Sequence, residues 1–319
     1  MIPGFSRLGY SGRVIEPLVE CVPNFSEGCR VEVLSLIETA IRSLNGVLVL
    51  GQERDADHNR SVFTFVGGPD AVLEAAVRAA VVAAKRIDLN GHAGVHPRIG
   101  AADVIPFIPL AGVTMEACAT LARRAAGEIW RRAQVPSYLY EFAARRAERS
   151  NLEAVRKVGF EALRARALTD LPPDVGGPAL HPTAGACAVG ARRILIACNV
   201  NLVTDDLGVA KRVAREIRAS SGGIPYVKAL GLGLPSRGLV QVSMNLTHYE
   251  VTGLGPVFER IAAAAAAVPV HSTEIIGFPP RAALVGAERF LAVCEGWNEG
   301  RVLENRIAAV RGDVTKGAG

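Results

Sequence analysis

The sequence predicts an α/β (α+β) protein made of two ferredoxin-like subdomains with mixed or antiparallel sheets and a cleft between them. Three observations carry this expectation. The chain has 319 residues, more than one hydrophobic core usually organises, so two domains of about 150 residues each are expected. Strand-like and helix-like runs alternate along both halves. In each half the order is strand, helix, strand, strand, helix, strand, with short turns between paired strands, which fits a split βαβ unit used twice better than a doubly wound parallel sheet. The expected boundaries are a disordered leader at 1–16, a first subdomain at 17–190 and a second at 191–319.

The elements follow in order. Residues 18–22 read as a strand, and residues 30–44 as a helix because Val33, Leu34, Leu36, Ile37 and Ile41 recur at helical spacing. Residues 47–50 and 61–66 are strand candidates, the second with Val62, Thr64 and Val66 alternating against Phe63 and Phe65. Pro69 opens a helix to about 87, with Asp70 suited to its positive end. Pro106 and Pro109 interrupt the apolar run 104–110, which is therefore expected to be an edge strand or an irregular extended segment. A helix from Thr114 to Gln134, a strand at 136–140 and a charged, solvated helical stretch at 142–171 come next. In the second half, strands are expected at 194–203, 227–234, 239–248 and 268–276, and helices at 205–220 and 256–267.

Composition narrows the function. Half of the residues are apolar and 5% aromatic, so the cores must be built from Ala, Val, Leu and Ile. The net charge of +5 is carried almost entirely by arginine, which suits carboxylate or phosphate ligands. No basic run with interleaved aromatics points to nucleic acid. There is no apolar run of about 18 residues, so no membrane span is expected, and no signal-peptide core. Six cysteines without CxxC spacing read as buried thiols of a reducing cytoplasm.

Residues 91–100, Gly-His-Ala-Gly-Val-His-Pro-Arg-Ile-Gly, hold two of the six histidines within glycine-rich backbone. Histidine titrates near neutrality, so His92 and His96 are candidates for proton transfer. The alternative is a surface or structural role for each. Arg98, two positions after His96, suits an anion clamp facing the same side. A metal site is not expected, because Gly94 and Pro97 oppose a ligand-presenting helix and no nearby cluster completes a zinc set. Arg60 and Arg192 are further carboxylate-clamp candidates, and Glu53, Asp55, Asp57 and Asp103 are candidate partners for a cationic substrate group. Asn24, Asn201 and Asn245 suit hydrogen bonding to ligand amides or internal hydrogen bonding alike. The junction Gly176, Gly177, Pro178, Ala179, Leu180, His181, Pro182, Thr183, Ala184 and Gly185 reads either as a linker or as a ligand-binding segment at a domain cleft.

Several long stretches resemble the glutamate formimidoyltransferase family: Glu20-Cys-Val-Pro-Asn-Phe-Ser-Glu-Gly28, His58-Asn-Arg-Ser-Val-Phe-Thr-Phe-Val-Gly67, His96-Pro-Arg-Ile-Gly-Ala-Ala-Asp-Val-Ile-Pro-Phe-Ile-Pro109 and His181-Pro-Thr-Ala-Gly185. The resemblance continues through Asn199-Val-Asn-Leu202 and Gln241-Val-Ser-Met-Asn-Leu246. It implies transfer of the formimino group of N-formimino-L-glutamate to tetrahydrofolate in histidine degradation, by a cytoplasmic homodimer with a folate tunnel between two formiminotransferase subdomains. It also implies His96 as the catalytic histidine and residues 176–185 as the folate-binding stretch; the cyclodeaminase domain that follows in animal members is not expected within 319 residues. Many members carry Leu-Asp-Val-Asp where this chain has Leu50-Gly51-Gln52-Glu53. Two other readings remain open at this level: formyl transfer from 5-formyltetrahydrofolate to glutamate, and folate binding without catalysis.

Overall fold

The computed structural model describes residues 16–316; the leader expected at 1–16 lies, Glu16 apart, outside the described residues. The chain divides into two compact units, one ending at Arg192 and one beginning at Arg193.

The first unit runs β1 (Leu18–Cys21), β2 (Asn24–Phe25), α1 (Val31–Arg42), β3 (Val47–Asp55), β4 (Arg60–Gly67), α2 (Pro69–Arg86), β5 (Ala102–Ala111), α3 (Met115–Ala133) and β6 (Ser137–Glu141). Two short helices, α4 (Glu153–Arg156) and α5 (Gly159–Arg166), and a last strand, β7 (Cys187–Ala191), complete it. β1 lies between β4 and β5, antiparallel to both, and β3 pairs with β4 on the outer side. That is the strand order of a split βαβ unit. β7 then extends the sheet parallel to β5, and β6 joins parallel to β7, giving seven strands.

Local chemistry explains these boundaries. α1 turns Val33, Leu34, Ile37 and Ile41 inward. Pro69 sits in the first turn of α2, where its missing N–H costs nothing. The Thr114 hydroxyl accepts from Ala117 N at 3.1 Å to cap α3, and Gln134 ends that helix in the left-handed region at φ 54°. Buried alanines along α2 and α3 let both helices lie close to the sheet and to each other. The helix-covered face is built from Val19, Cys21, Phe25, Phe63, Phe65, Ile105 and Phe107. Cross-strand neighbours share a face, so the registers put Glu20, Asn24, Arg60, Val62, Thr64 and Val104 on the opposite side. Asn24 and Arg60, at one end of this second face, belong to the candidate site.

Two expectations are corrected. The run 104–110 is no edge: β5 pairs with β1 and β2 on one side and with β7 on the other. Its prolines fall where the neighbours are irregular. Pro106 lies opposite the break between β1 and β2, and Pro109 adjoins the register shift at Leu18 and Val19. The stretch 142–171 is not one solvated helix, since it folds into α4, α5 and connecting turns. Val155 and Leu163 pack with Ile99, Val104, Tyr138 and Tyr140 on the second face of the sheet, and Arg149 is buried over the Tyr138 ring, paired with Asp174.

The second unit repeats the plan without the extension. β8 (Ile196–Leu202), α6 (Leu207–Ile217), β9 (Val227–Leu234), β10 (Leu239–Leu246), α7 (Leu254–Ala265) and β11 (Val270–Ile276) form an antiparallel sheet in the order β11-β8-β10-β9. Asp206 caps α6 by accepting from Gly208 N at 2.8 Å. Two further helices follow, α8 (Glu288–Ala292) and α9 (Leu303–Lys316). Among the described residues no helix is long and apolar enough to cross a membrane. All six cysteines are unpaired; Cys21, Cys118, Cys187 and Cys198 are buried as expected, whereas Cys29 is exposed.

One buried carboxyl carries a prediction. Glu20, on the second face of the first sheet, is 4% exposed, and burial pushes its pKa up to about 7 against the opposing charge of Arg192. Its folded-state pKa lies above the unfolded value, so the folded chain holds the proton longer. Stability therefore falls as pH rises from about 4.5 to about 7. Glu20→Gln is expected to stabilise the protein by about 1–3 kcal/mol at pH 8 and to leave it nearly unchanged at pH 4. Denaturant unfolding at the two pH values reads this directly; equal effects at both would rule out the titration.

Candidate active site

The site grows from an irregularity in the sheet. β2 pairs Asn24 with Val104 and Phe25 with Ala102, leaving Asp103 as an extra residue on β5. A bulge of this kind re-aims a side chain. The Asp103 carboxylate is fully buried: Oδ1 accepts from Ile99 N at 2.8 Å, and Oδ2 receives Arg60 Nη1 at 2.7 Å and Arg156 Nη2 at 2.9 Å. Burial raises the pKa of this carboxyl, but Arg156 and Arg60 outweigh it, and the net shift is downward. Arg60, the first residue of β4, also donates from Nε and Nη2 to Asn24 Oδ1, at 3.2 and 2.7 Å. Asn24 is held in turn by its Nδ2 on Val22 O at 2.8 Å. Burial, then Arg156, lowers the pKa of Arg60 to about 10, with Asp103 opposing.

His96 sits against this pair of cations. Its Nδ1 is 2.9 Å from Pro97 O and 3.3 Å from Arg156 Nη2, which itself donates to Pro97 O at 2.9 Å. The carbonyl is the closer of the two partners and can only accept. We therefore assign the neutral ring with the proton on Nδ1, which leaves the Nε2 lone pair as the base. The His58 ring lies 5.7 Å away between centroids, tilted by 46°. Burial first, then Arg60, Arg156 and His58, hold the His96 pKa well below the ordinary histidine value, with Pro97 O opposing. The ring is neutral at physiological pH and competent to accept a proton.

The loop carrying His96 is held at several points. Asn59, in the left-handed region at φ 46°, accepts from Gly28 N at 2.9 Å through Oδ1 and donates from Nδ2 to Ala93 O at 2.8 Å. Val95 N donates to Asp57 O at 3.1 Å. Gly94 passes so close to the turn before β4 that a Cβ there would lie 2.4 Å from His58 O. His92 Nε2 bonds Asn59 O at 3.0 Å, and burial lowers the pKa of this ring. His92 thus orients the loop.

The remaining candidates are distributed as follows. Arg98 is taken up within the protein, donating to Glu161 at 2.8 Å and to Leu89 O and His92 O at 3.2 Å, with its guanidinium over Phe160. These contacts tie the loop to α5 through Arg98. Glu53 lies on β3 opposite Val62, and Asp55 lies opposite Arg60. Asn245 is on β10 opposite Lys228 and Ala197, in the second unit. Asn201 donates to Ser272 and Glu274 and accepts from Gln241 Nε2, within a buried polar network of that unit.

The segment 176–185 is ordered and folds back beside the histidine loop. His181 and Gly185 exchange backbone hydrogen bonds at 2.9 and 3.0 Å, and His181 Nδ1 accepts from Ala184 N at 3.0 Å. Leu89 N donates to Thr183 O and Ala101 N to Ala184 O, both at 2.9 Å. Asn90 and Arg164 close on Pro182 O. Gly176 faces Trp130 so closely that a Cβ would fall 2.4 Å from the indole. The first unit therefore brings residues 96–103 and 181–185 together, with Gly100 bridged to Gly185. The place of Arg156 beside His96 was not legible in the sequence. Its one local signal is Val155 beside it, an apolar residue in a charged stretch. Among the described residues, no group of His, Cys, Asp and Glu side chains is placed to hold a metal ion.

A ferredoxin-like sheet holds a neutral histidine against two arginines, an arrangement able to accept and return a proton, and comparison of sequences gives the class. Residues 18–192 match the formiminotransferase domain, N-terminal subdomain, and residues 197–305 match the formiminotransferase domain. The chain belongs to this formiminotransferase family. It is 42% identical over 294 residues to the glutamate formimidoyltransferase of Streptococcus pyogenes serotype M1, covering 91% of this chain and 98% of that protein. It is 41% identical to the glutamate formimidoyltransferase of Thermoplasma acidophilum, covering 91% and 97%. To the formimidoyltransferase-cyclodeaminase of Sus scrofa it is 41% identical over 88% of this chain and 53% of that protein.

Proposed function

We propose that the chain is a glutamate formimidoyltransferase, moving the formimino group of N-formimino-L-glutamate to N5 of tetrahydrofolate with His96 as general acid and base. The observation that supports this most directly is identity of about two residues in five with glutamate formimidoyltransferases along nearly their whole length. The site fits the proton inventory of the reaction. N5 attacks the formimino carbon and its proton passes to His96 Nε2. The carbon–nitrogen bond to glutamate then breaks, and the same proton goes to the departing nitrogen. No alkoxide forms, so proton movement matters more than an oxyanion hole.

In this reading Arg60 and Arg156, both bonded to Asp103, keep the His96 ring neutral, and residues 176–185 contact the folate. The protein would act as a homodimer in the cytoplasm on these two small-molecule substrates. Purified protein mixed with N-formimino-L-glutamate and tetrahydrofolate is expected to release glutamate stoichiometrically with formimino-folate. Activity with 5-formyltetrahydrofolate and glutamate alone, and none with the formimino donor, would replace this reading. Calorimetric folate binding without any transfer would leave a binding protein.

A further inference from the structure

We infer that Arg156 of α4 is a positioning residue of the transfer reaction, fixing the His96 ring so that Nδ1 is committed to Pro97 O and Nε2 is left to exchange the proton. One guanidinium nitrogen, Nη2, reaches three groups at once: Asp103 at 2.9 Å, Pro97 O at 2.9 Å and His96 Nδ1 at 3.3 Å. The first contact anchors the arginine in the buried bulge of β5. The second fixes the carbonyl that receives the Nδ1 proton. The third places a positive charge beside the ring, where it opposes the imidazolium.

Among the described residues, three basic groups bear on the ring. Arg60 from β4, Arg156 from α4 and His58 from the β3–β4 turn all disfavour a second positive charge. Asp103, the neighbouring carboxylate, is shared between the two arginines. A proton taken from N5 is therefore held weakly on His96 as the new carbon–nitrogen bond forms. It passes readily to the glutamate nitrogen as the old bond breaks. Arginine suits this place because the two protons of Nη2 bond the carboxylate and the carbonyl while the group remains charged.

The inference rests on the proposed reaction for its role, but the state of the ring can be read without turnover. In isotope-labelled protein the His96 signals, assigned by their loss in His96→Gln, are followed through a pH titration by NMR. Wild-type His96 is expected to titrate below the ordinary histidine value, and in Arg156→Gln its midpoint is expected to rise by about one pH unit. Arg156→Lys, which keeps the charge, should return the midpoint close to wild type. The acid limb of kcat/KM should follow the ring, so Arg156→Gln loses more activity at pH 6 than at pH 8. An unmoved midpoint in folded Arg156→Gln overturns the role, as does a wild-type midpoint at or above the ordinary value if that variant does not fold. A moved midpoint in a protein that transfers no formimino group overturns the reaction and leaves the electrostatics standing.

Discussion

Replacing His96 with alanine is expected to lower turnover by about 10² to 10⁴ while tetrahydrofolate still binds, since a positioned acid/base contributes on that order. The expectation follows from how little else near the ring is both neutral and free to exchange a proton. Arg60 and Arg156 are committed to Asp103, and His92 spends Nε2 on Asn59 O. His58 lies one ring away, and its Nε2 is buried with no hydrogen-bond partner. The half-buried ring of His96 supports no core, so the variant should unfold at nearly the wild-type temperature. Steady-state kinetics beside calorimetric folate binding separates the outcomes. Turnover within threefold of wild type would remove His96 from the chemistry.

Asp103→Ala is expected to destabilise the protein by about 3–5 kcal/mol, because it leaves the buried guanidinium of Arg60 facing the partly buried one of Arg156 without their anion. The side chain is 0% exposed, and it also satisfies Ile99 N, so water does not readily replace it. Activity should fall together with stability, since Arg156 loses the anchor that sets it beside His96. Urea denaturation measures the first effect. A loss under 1 kcal/mol would show that Arg60 and Arg156 find other partners in the folded chain. The double variant Asp103→Ala with Arg156→Met should recover part of the stability, because one unpaired cation goes with it, but it should recover no activity.

The periodic parts of the fold were legible from residue order alone. Apolar spacing placed α1, Pro69 with Asp70 placed α2, and Thr114 placed α3; the alternation at 61–66 placed β4, and the strand expected at 239–248 is β10, each close to its observed bounds. The paired split βαβ plan followed from that order. Reading failed where tertiary context overrides local preference. Pro106 and Pro109 argue against a central strand, yet β5 is central because breaks in its neighbours relieve both positions. The stretch 142–171 has charge enough to look solvated, while a few apolar side chains, Val155, Phe160 and Leu163, turn it back onto the sheet. At the site, His96 stood out through composition and family resemblance. Arg156 did not, because its position depends on a fold-back of some 60 residues. Asp103 was one of four acidic candidates, and only the bulge distinguishes it from the rest.

The two prolines of β5 also bear on how the strand finds its alignment. A strand in mid-sheet that lacks two amide donors fits its neighbours in one way only. A slip by a single residue would set a proline ring against a carbonyl that needs an N–H, and would also turn the apolar side chains of β5 to the wrong face. Misaligned pairings during folding are therefore penalised twice. The same residues that disguise β5 as an edge in the sequence act as registration marks, keeping Asp103 at the one place where the bulge can aim it between Arg60 and Arg156.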